Sequence, residues 1–404
     1  MNTRNSQQGA ILLVFLFLLF AIGTTIALST LNGARGRLEK ERKTQIALAQ
    51  ARDALIAFAA TYKSLPGRLP CPEDTTLIGT PNEGNAQNFC SNSSTVIGRL
   101  PWRSLGLEHL LDGDSEPLWY VRSPGFNSAP INSDTPGQIQ IDGVSNSAVA
   151  LIISPGAPLT GQSRPLPTAA SPPAPAQYLD LGNVSGPAYL SLGTPDSFND
   201  RVLPLTREQL FRAVETRVTG EVRVALEEYY STNGYYPKPA LFSDTTCLGT
   251  SNNNSTCLNN AASCNATVCR GRIPANADTG STAAGWPSLS ILRGTTGISP
   301  DWFQKNAWRE LIYYAIAPAC AETPCSGLGN LQLQNPPPSV VVGLKVLVVG
   351  SGPALAGQTR SSNFDKAMLS NYLEDKNLSP FDNIFVGAPI VAITPFNDLP
   401  RWLP

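Results

Sequence analysis

The sequence predicts an α+β protein in which one long N-terminal helix, membrane-spanning in its first half and amphipathic in its second, carries two tandem heads. Three features lead to this prediction: an apolar run near the N-terminus, a helical pattern that continues beyond it, and an internal repeat. A helix and a small antiparallel sheet can each bury an apolar face by packing against one another. Each head is therefore expected to be one helix packed on one such sheet.

The apolar run begins directly after Gly9 and reaches about Leu28, with no charged residue between Arg4 and Arg35. At about 1.5 Å per residue, a helix of this length nearly spans a hydrocarbon core of about 30 Å. We therefore expect a leader at 1–9 and a transmembrane half-helix at 10–32. An ordinary signal peptide is the alternative, but its apolar core would be shorter, about 7–15 residues.

Beyond the apolar run, the helical pattern continues from Gly33 to Pro66 without a proline. Apolar residues recur at the three- or four-residue spacing of one helix face. The clearest of these are Leu48, Ala51, Leu55, Phe58 and Tyr62. This pattern predicts an amphipathic half that continues the apolar half as one rod.

A second helix is predicted from Arg207 to about Tyr230. Thr206 stands in the N-cap position with Gln209 three residues later, which is the capping-box pattern. The sequence Asn233-Gly234 is a stop signal for this helix.

The internal repeat is seen as pairs of similar segments that recur in the same order. The paired segments are 51–55 with 222–226, 119–124 with 313–318, 154–164 with 350–360, 178–180 with 372–374, and 198–200 with 381–383. The clearest pair ends in Gly-Gln-x-Arg, whose Gln and Arg are expected to cap backbone carbonyls at the end of the preceding strand. The repeat predicts two α+β domains, 33–205 and 206–404.

Length and composition fit a loop-rich protein with two domains. At 404 residues the chain exceeds one typical domain, and it contains 35 prolines and 33 glycines. Its net charge of −1 gives no electrostatic basis for binding nucleic acid, so no nucleic-acid partner is expected.

The eight cysteines lie as sequence neighbours in polar loops: Cys71 with Cys90, Cys247 with Cys257, Cys264 with Cys269, and Cys320 with Cys325. This arrangement fits disulfides formed in an oxidising compartment. Zinc is the alternative, but no Cys-x-x-Cys pair occurs and His109 is the one histidine. Nearest-neighbour pairing is a hypothesis, because four cysteines in one loop allow three pairings.

The short polar leader, Gly9 and the long apolar helix together resemble the class III signal of type IV pilins and type II secretion pseudopilins. The resemblance implies that prepilin peptidase cleaves after Gly9 and methylates the new amino terminus at Ala10. The sequence departs from the family at Ala10, where Phe or Met is usual, and at Val14, where most pilins have Glu. The absence of Glu at Val14 resembles the large tip pseudopilin of type II secretion and some minor pilins. A helix that is never processed is the alternative.

The resemblance also implies two pilin-like heads and a non-enzymatic structural role in a type IV pilus or type II secretion type filament. Its partners would be prepilin peptidase, other pilin or pseudopilin subunits, and the inner membrane. Subunits would pack through the apolar helix face formed by Ala10, Ile11, Leu12, Leu13, Val14, Phe15 and Leu16. The alternatives are an anchored periplasmic binding or adhesion module that is not assembled and, less favoured, an anchored hydrolase.

The location implied is a single pass through the inner membrane, with the bulk of the chain periplasmic or on an extracellular filament. More basic residues follow the apolar run than precede it. Those after it include Arg35, Arg37 and Lys40, whereas Arg4 is the one before it. The positive-inside rule alone would therefore place the C-terminal part in the cytoplasm. The cysteines favour the opposite side, because disulfides form in oxidising compartments.

Calcium is the one metal that the sequence suggests. Asp112, Asp114 and Glu116 form a carboxylate-rich loop, and 132–137 is a second such loop. Carboxylate oxygens are the ligands that calcium prefers, although Asp and Asn also favour turns for local reasons. No other cofactor is expected.

The sequence offers little support for catalysis. Ser154 and Ser351 adjoin glycine or proline, but neither lies in a Gly-x-Ser-x-Gly elbow. His109 lies in a leucine-rich segment, and no phosphate-binding loop or dinucleotide fingerprint occurs. The prediction is a protein that is not an enzyme.

Overall fold

A computed structural model describes residues 5–194, 196–250, 261–275, 286–287, 290–293, 301–325, 327–335, 339–379, 382–387 and 395–403. Within the first helix, side chains are described at Leu16, Phe17 and Phe20 and from Ala34 onward.

The two longest helices of the described chain are α1, Asn5–Thr61, and α2, Arg207–Asn233. The predicted capping box of α2 is confirmed: Thr206 Oγ1 accepts from Gln209 N at 3.3 Å, and Gln209 Oε1 accepts from Thr206 N at 3.1 Å. The helix ends at Gly234, whose φ of +79° is easily adopted only by glycine. Two helices of four residues follow, α3 at Trp302–Lys305 and α4 at Asn363–Lys366.

Residues before α2 form two sheets. Their strands are β1 Val96–Arg99, β2 Trp119–Arg122, β3 Ile139–Ile141, β4 Val144–Ala148, β5 Ala150–Ser154, β6 Ala188–Tyr189 and β7 Arg201–Leu205. The first sheet has the order β1-β2-β5-β7 and is antiparallel throughout. The second has the order β4-β3-β6, in which β3 and β6 are parallel.

Residues after α2 form two more sheets with the same connectivity. Their strands are β8 Cys269–Arg272, β9 Ile312–Ile316, β10 Leu331–Gln334, β11 Val340–Leu344, β12 Val346–Gly350, β13 Ile384–Val386 and β14 Leu399–Leu403. The orders are β8-β9-β12-β14, antiparallel, and β11-β10-β13, in which β10 and β13 are parallel. Each strand of one half therefore has a counterpart in the other.

The two helices join the halves. α1 packs against α2, β5 and β7, while α2 packs against β12 and β14. Leu48, Ala51 and Leu55 of α1 are buried in the same core as Val218 and Val222 of α2. β5 and β12 are buried along their whole length, as expected for strands with both faces covered.

The predicted fold class is wrong. The described residues do not form two heads of one helix on one small antiparallel sheet. Each half contains two sheets, one of each pair is mixed, and the two halves share a core. The strands of the mixed sheets are short, and their parallel pairs join distant segments such as 139–141 and 188–189. Neither feature leaves a periodic signal in the sequence.

Two further predictions are wrong, namely the transmembrane half-helix at 10–32 and the single-pass inner-membrane location. In the part of the chain that the structure describes, no helix combines the length and the apolar character needed to cross a bilayer. Most side chains of 10–32 lie outside the described ones. From Ala34 onward, α1 carries exposed charges that include Arg35, Arg37 and Glu39, and each charge at a bilayer centre costs about 2.5–3.5 kcal/mol or more.

Candidate functional site

The residues predicted to be cleaved and methylated, Gly9 and Ala10, lie within α1, whose helical backbone begins at Asn5. The predicted assembly face comprises 10–16, and the structure does not describe the side chains of 10–15. Leu16, the last of that set, is 65 % exposed, and Phe17 and Phe20 are 69 % and 72 % exposed. The described apolar side chains in this part of α1 are thus uncovered.

The described side chains of α1 before Thr44 are left exposed by the folded body. Every described side chain of α1 before Thr44 is exposed, and Thr44 is the first that is buried. Two ion pairs tie this boundary to the body: Lys40 Nζ to Asp114 Oδ1 at 2.6 Å, and Arg201 Nε to Glu41 Oε2 at 3.5 Å. Residues 5–43 measure about 60 Å along the helix axis, at about 1.5 Å per residue.

Three of the predicted disulfides are confirmed. Cys71 bonds Cys90, Cys264 bonds Cys269, and Cys320 bonds Cys325, with Cα–Cα distances of 5.9, 4.2 and 4.3 Å. Cys247 is also disulfide-bonded, while its predicted partner Cys257 lies outside the described residues. Within the described chain no cysteine remains as a free thiol, so the zinc alternative finds no thiolate ligand there.

The three predicted calcium ligands lie in one turn, and each is bonded to protein groups. The buried Asp112 Oδ1 accepts from Asp114 N at 2.8 Å and from Glu116 N at 2.9 Å. Its Oδ2 accepts from Ser154 Oγ at 2.7 Å and from Gly156 N at 3.0 Å. Four donors therefore occupy the lone pairs of this carboxylate.

The other two carboxylates of the turn pair with cations. Asp114 bonds Lys40 of α1, and Glu116 Oε1 lies 3.2 Å from Arg164 Nη1. Gly113 lies so close to α1 that a Cβ there would be 2.2 Å from the carbonyl oxygen of Lys40. The turn thus connects α1 to the loop after β5, and calcium binding by it stays a prediction.

The second carboxylate-rich loop contacts the other half of the chain. Asp134 Oδ1 accepts from Arg360 Nη1 at 3.0 Å and from Ala354 N at 3.2 Å. Ser133 Oγ donates to the buried carboxyl of Glu215 in α2. Each acidic loop therefore neutralises the arginine of one Gly-Gln-x-Arg segment.

In the first half, that segment belongs to a buried polar cluster. Gln162 Nε2 donates to Asp180 Oδ1 at 2.8 Å, and Asn199 N donates to Asp180 Oδ2 at 2.8 Å. Asp200 Oδ2 accepts from Asp180 N at 3.0 Å and from Asn183 Nδ2 at 2.8 Å. The hydrogen bonds of this cluster connect the loop after β5 to the residues that precede β7.

In the second half, an equivalent cluster makes the same bonds. Gln358 Nε2 donates to Glu374 Oε1 at 2.9 Å, and Asn397 N donates to Glu374 Oε2 at 3.1 Å. Asp398 Oδ2 accepts from Glu374 N at 3.1 Å and from Asn377 Nδ2 at 2.9 Å. The repeat thus preserves a network of polar contacts as well as strand order.

The arginines of the two segments cap carbonyls, as the sequence predicted. Arg164 donates to Gly156 O at 2.7 Å and to Gln177 O at 3.0 Å. Arg360 donates to Gly352 O at 3.0 Å and to Asn371 O at 2.6 Å. Each glutamine joins its loop to an acidic residue, and Gln358 Nε2 also donates to the carbonyl oxygen of Ser370 at 3.4 Å.

Both clusters hold a buried carboxyl that favours its neutral form. Burial raises the pKa of Asp200 to about 7, and the nearby Asp180 charge adds to the shift. Burial and then the adjacent Glu374 raise the pKa of Asp398 well above its ordinary value. Among the described residues, no N–H or hydroxyl donates to Oδ1 of either aspartate. A carboxylic acid proton on that oxygen accounts for the arrangement.

One pairing within the repeat is wrong. The counterpart of 198–200 is 396–398 and not 381–383, because Asn397 and Asp398 make the contacts of Asn199 and Asp200. The signal was present, since both segments read Phe-Asn-Asp. Glu215 was also missed as a polar group, because its helical position is an inward one.

The one histidine lies in a half-buried contact with basic and aromatic groups. Arg99 Nη2 lies 3.3 Å from His109 Nε2, and the His109 ring stacks on Trp102 at 5.4 Å between centroids. Burial and then the Arg99 charge lower the pKa of His109. Arg99 Nε also lies 2.9 Å from Oε2 of the buried Glu73, forming an ion pair, and this assembly supports the segment between β1 and β2.

No known protein family, curated protein or solved structure matches this chain.

Proposed function

We propose that this protein is a non-enzymatic structural subunit of the minor pilin or pseudopilin class, which joins a filament through the exposed part of α1. The observation that carries the proposal is the set of uncovered apolar side chains at Leu16, Phe17 and Phe20. Leu16 and Phe20 are four positions apart, so they lie on one face of the helix with Phe17 beside them. Neighbouring apolar side chains that the folded body leaves exposed are typical of an interaction surface.

The magnitudes favour an assembly with several contacts over a simple pair. Burying each of these side chains contributes about 1.5–3 kcal/mol, whereas association costs about 4–15 kcal/mol in lost freedom of motion. Three side chains therefore barely offset that cost in one contact. A helix bundled with several neighbours buries the same surface repeatedly, as in the core of a filament.

The proposed partners are other subunits of the same filament, and the proposed processing enzyme is a prepilin peptidase. Cleavage after Gly9 would make Ala10 the first residue of α1 and leave the exposed apolar residues near the new N-terminus. The lysine- and arginine-rich stretch from Arg35 to Lys43 would then mark the point where the helix meets the body.

The first test replaces the apolar side chains with charges. Cells expressing the Phe17→Glu/Phe20→Glu variant are expected to lose the protein from the sheared filament fraction while keeping it in the cell, because a buried unpaired charge is strongly unfavourable. Phe89→Glu is the matched control, since Phe89 is 83 % exposed on the body. Retention of the double variant in filaments would contradict the proposal, and so would equal loss of the control.

The second test is the mass of the mature N-terminus. N-methyl-Ala10 is the expected result for the wild type, and Gly9→Leu is expected to retain Met1. A mature chain that begins at Thr30 would indicate ordinary secretion and overturn the filament assignment.

A further inference from the structure

A proline-rich loop at 165–175 leaves the body of the first half and returns to it. Arg164, whose side chain is 5 % exposed, donates to Gln177 O at 3.0 Å and to Tyr178 O at 3.2 Å. The two ends of the loop are therefore held together. A segment whose ends meet at one place is a presented surface loop and does not link two domains. Its five prolines are Pro165, Pro167, Pro172, Pro173 and Pro175.

The second half shows that the fold does not require these prolines. The repeat aligns the loop with 361–371, which follows Arg360 as the loop follows Arg164. That counterpart contains no proline, and it includes α4. Proline presets the backbone φ near −65°, and a ligand with a preset backbone loses little conformational entropy on binding. The prolines of the first half are thus suited to recognition by another surface.

Leu166 is the apolar side chain that this loop presents. It is 92 % exposed and stands between two prolines. Within the loop, Thr168 and Ser171 exchange two backbone hydrogen bonds of 3.1 Å, which order the chain beside Leu166. No charged residue occurs in 165–177. The loop therefore offers an uncharged apolar ligand on a stiff backbone.

The second half contains a cavity of about 400 Å³ whose chemistry matches that ligand. Its volume is within the range of about 300–1,000 Å³ that is common for ligand sites. Its apolar and aromatic walls include Leu241, Phe242, Val268, Tyr313 and Leu369. Grooves with aromatic walls are the usual receptors for extended proline-rich segments.

The aromatic walls are fixed in place, and the charge at the cavity is already bonded. The ring centroids of Phe242 and Tyr313 lie 6.0 Å apart, and the guanidinium of Arg272 lies 3.9 Å from the Phe242 centroid. Arg270 is the one charged residue among the described lining residues, and it donates to Tyr313 Oη and to Asn377 O. No carboxylate lines the described part of the cavity, so an uncharged ligand fits it better than a charged one.

We propose that the loop 165–175 of one copy docks into this cavity of a second copy, with Leu166 inserted beside Phe242 and Tyr313. The second copy is the occupant because the chain carries both an uncharged proline-rich ligand and its aromatic receptor. Within one chain Leu166 stays exposed, so the loop does not fill the chain's own cavity. The contact joins two different surfaces and is heterologous. It uses the folded bodies and does not require α1, so it goes beyond the proposed structural role.

A synthetic peptide of residues 165–177, labelled with fluorescein and amidated, tests this contact by fluorescence anisotropy. It is titrated with the full protein, whose disulfides are intact, and saturable binding is expected. A Leu166→Ser peptide is expected to bind at least about tenfold more weakly, because it loses the buried apolar side chain. A Pro165→Ala/Pro167→Ala peptide is expected to bind about threefold more weakly, because its free chain is less ordered.

The receptor is tested with Leu241→Asp in the full protein, which is expected to weaken binding of the wild-type peptide at least about tenfold. The change puts an unpaired charge on an apolar wall, and Leu241 is 41 % exposed, so the fold should tolerate it. Leu328→Asp is the matched control, because Leu328 is a leucine of the same half that is 87 % exposed and is not among the lining residues. Its affinity for the peptide is expected to equal that of the wild type.

Four results would overturn the proposal. They are an absence of saturable binding, equal binding of the Leu166→Ser peptide, unchanged binding by Leu241→Asp, and equal weakening by Leu328→Asp. The peptide variants leave the protein unaltered, so their outcome does not depend on the folding of a mutant. Incorporation into filaments through α1 is measured separately, so failure of the peptide to bind would not count against that role.

Discussion

Replacing Asp200 by asparagine is expected to remove part of the pH dependence of the free energy of unfolding. Asp200 is fully buried, and its Oδ2 accepts from Asp180 N and Asn183 Nδ2. Burial raises the pKa of Asp200 to about 7 in the folded chain, whereas an unfolded chain has an Asp pKa of about 3.9. The folded protein therefore holds a proton over a pH range in which the unfolded chain has released it.

The sign and size follow from this difference in pKa. Because the folded state binds the extra proton, the free energy of unfolding falls as the pH rises from about 4 to about 7. Three pKa units at about 1.36 kcal/mol each give a loss of up to about 4 kcal/mol. The contribution is fully present below about pH 4, and its slope vanishes above about pH 7.

Asparagine has nearly the shape of a protonated aspartate and does not titrate. Its side-chain oxygen can accept the two bonds that Asp200 Oδ2 accepts, and its amide occupies the place of the protonated oxygen without adding a charge. The Asp200→Asn variant should therefore be at least as stable as the wild type at pH 8, and it should lose less stability between pH 4.5 and 7.5.

Urea unfolding of the full chain, with its disulfides intact, measures this difference at a series of pH values. Burial also raises the pKa of Glu73 and Glu215 to about 7, so the wild-type slope is a sum and only the difference isolates Asp200. Asp196→Asn is the control, because Asp196 is exposed in the turn before the cluster. Equal slopes for Asp200→Asn and the wild type would refute a buried proton at Asp200, and so would a loss of stability in the variant at every pH.

Two further changes test the close approach of Gly113 to α1 and the Cys71–Cys90 disulfide. Gly113→Ala would place a Cβ 2.2 Å from the carbonyl oxygen of Lys40, so we expect thermal unfolding to show a loss of about 1–3 kcal/mol in unfolding free energy. Gly36→Ala is the control, because a Cβ at Gly36 meets nothing within 4 Å. It should cause no loss in the same experiment. Replacing Cys71 and Cys90 together by serine should lower the unfolding free energy by about 2–5 kcal/mol, because their bond closes a loop with a sequence separation of 19, and a midpoint in urea unchanged from the wild type would contradict this role.

The features that the sequence predicted correctly are mostly local. The capping box at Thr206 and Gln209 involves residues three positions apart, and the confirmed disulfides join neighbours such as Cys264 and Cys269. Short-range steric and hydrogen-bonding preferences determine both kinds of feature. Both kinds of feature could therefore be predicted without knowing the fold.

The features that were missed depend on contacts between distant segments. β3 and β6 pair over very short lengths, and their register comes from packing against the larger sheet. The membrane interpretation of 10–32 rested on the length of an uncharged apolar run and on its resemblance to a class III signal. Apolar character does not distinguish burial in lipid from contact with another protein surface. The buried carboxyls at Asp200 and Asp398 look like ordinary turn residues in the sequence, since only tertiary burial raises their pKa values.

The two halves of the repeat supply a hydrogen-bond acceptor to the same backbone N–H from different residues. The loop after β5 presents Gly156 N, and the carboxylate of Asp112 accepts from it at 3.0 Å. In the second half the equivalent Gly352 N is bonded by Glu215 of α2. Thr44, at the position of α1 that corresponds to Glu215, has a hydroxyl in place of a carboxyl, and its Oγ1 accepts from Gly113 N at 2.9 Å.

The two halves thus satisfy one backbone donor by two routes. A buried N–H without an acceptor costs about 1–3 kcal/mol, so each loop requires an acceptor at this point whatever residue supplies it. Where the helix offers only a hydroxyl, as at Thr44, the turn at Asp112 brings the carboxylate. Where the helix offers Glu215, the carboxylate comes from α2 and needs no such turn. The physical requirement at the loop, rather than identity of sequence, accounts for a carboxyl acceptor at both Gly156 N and Gly352 N.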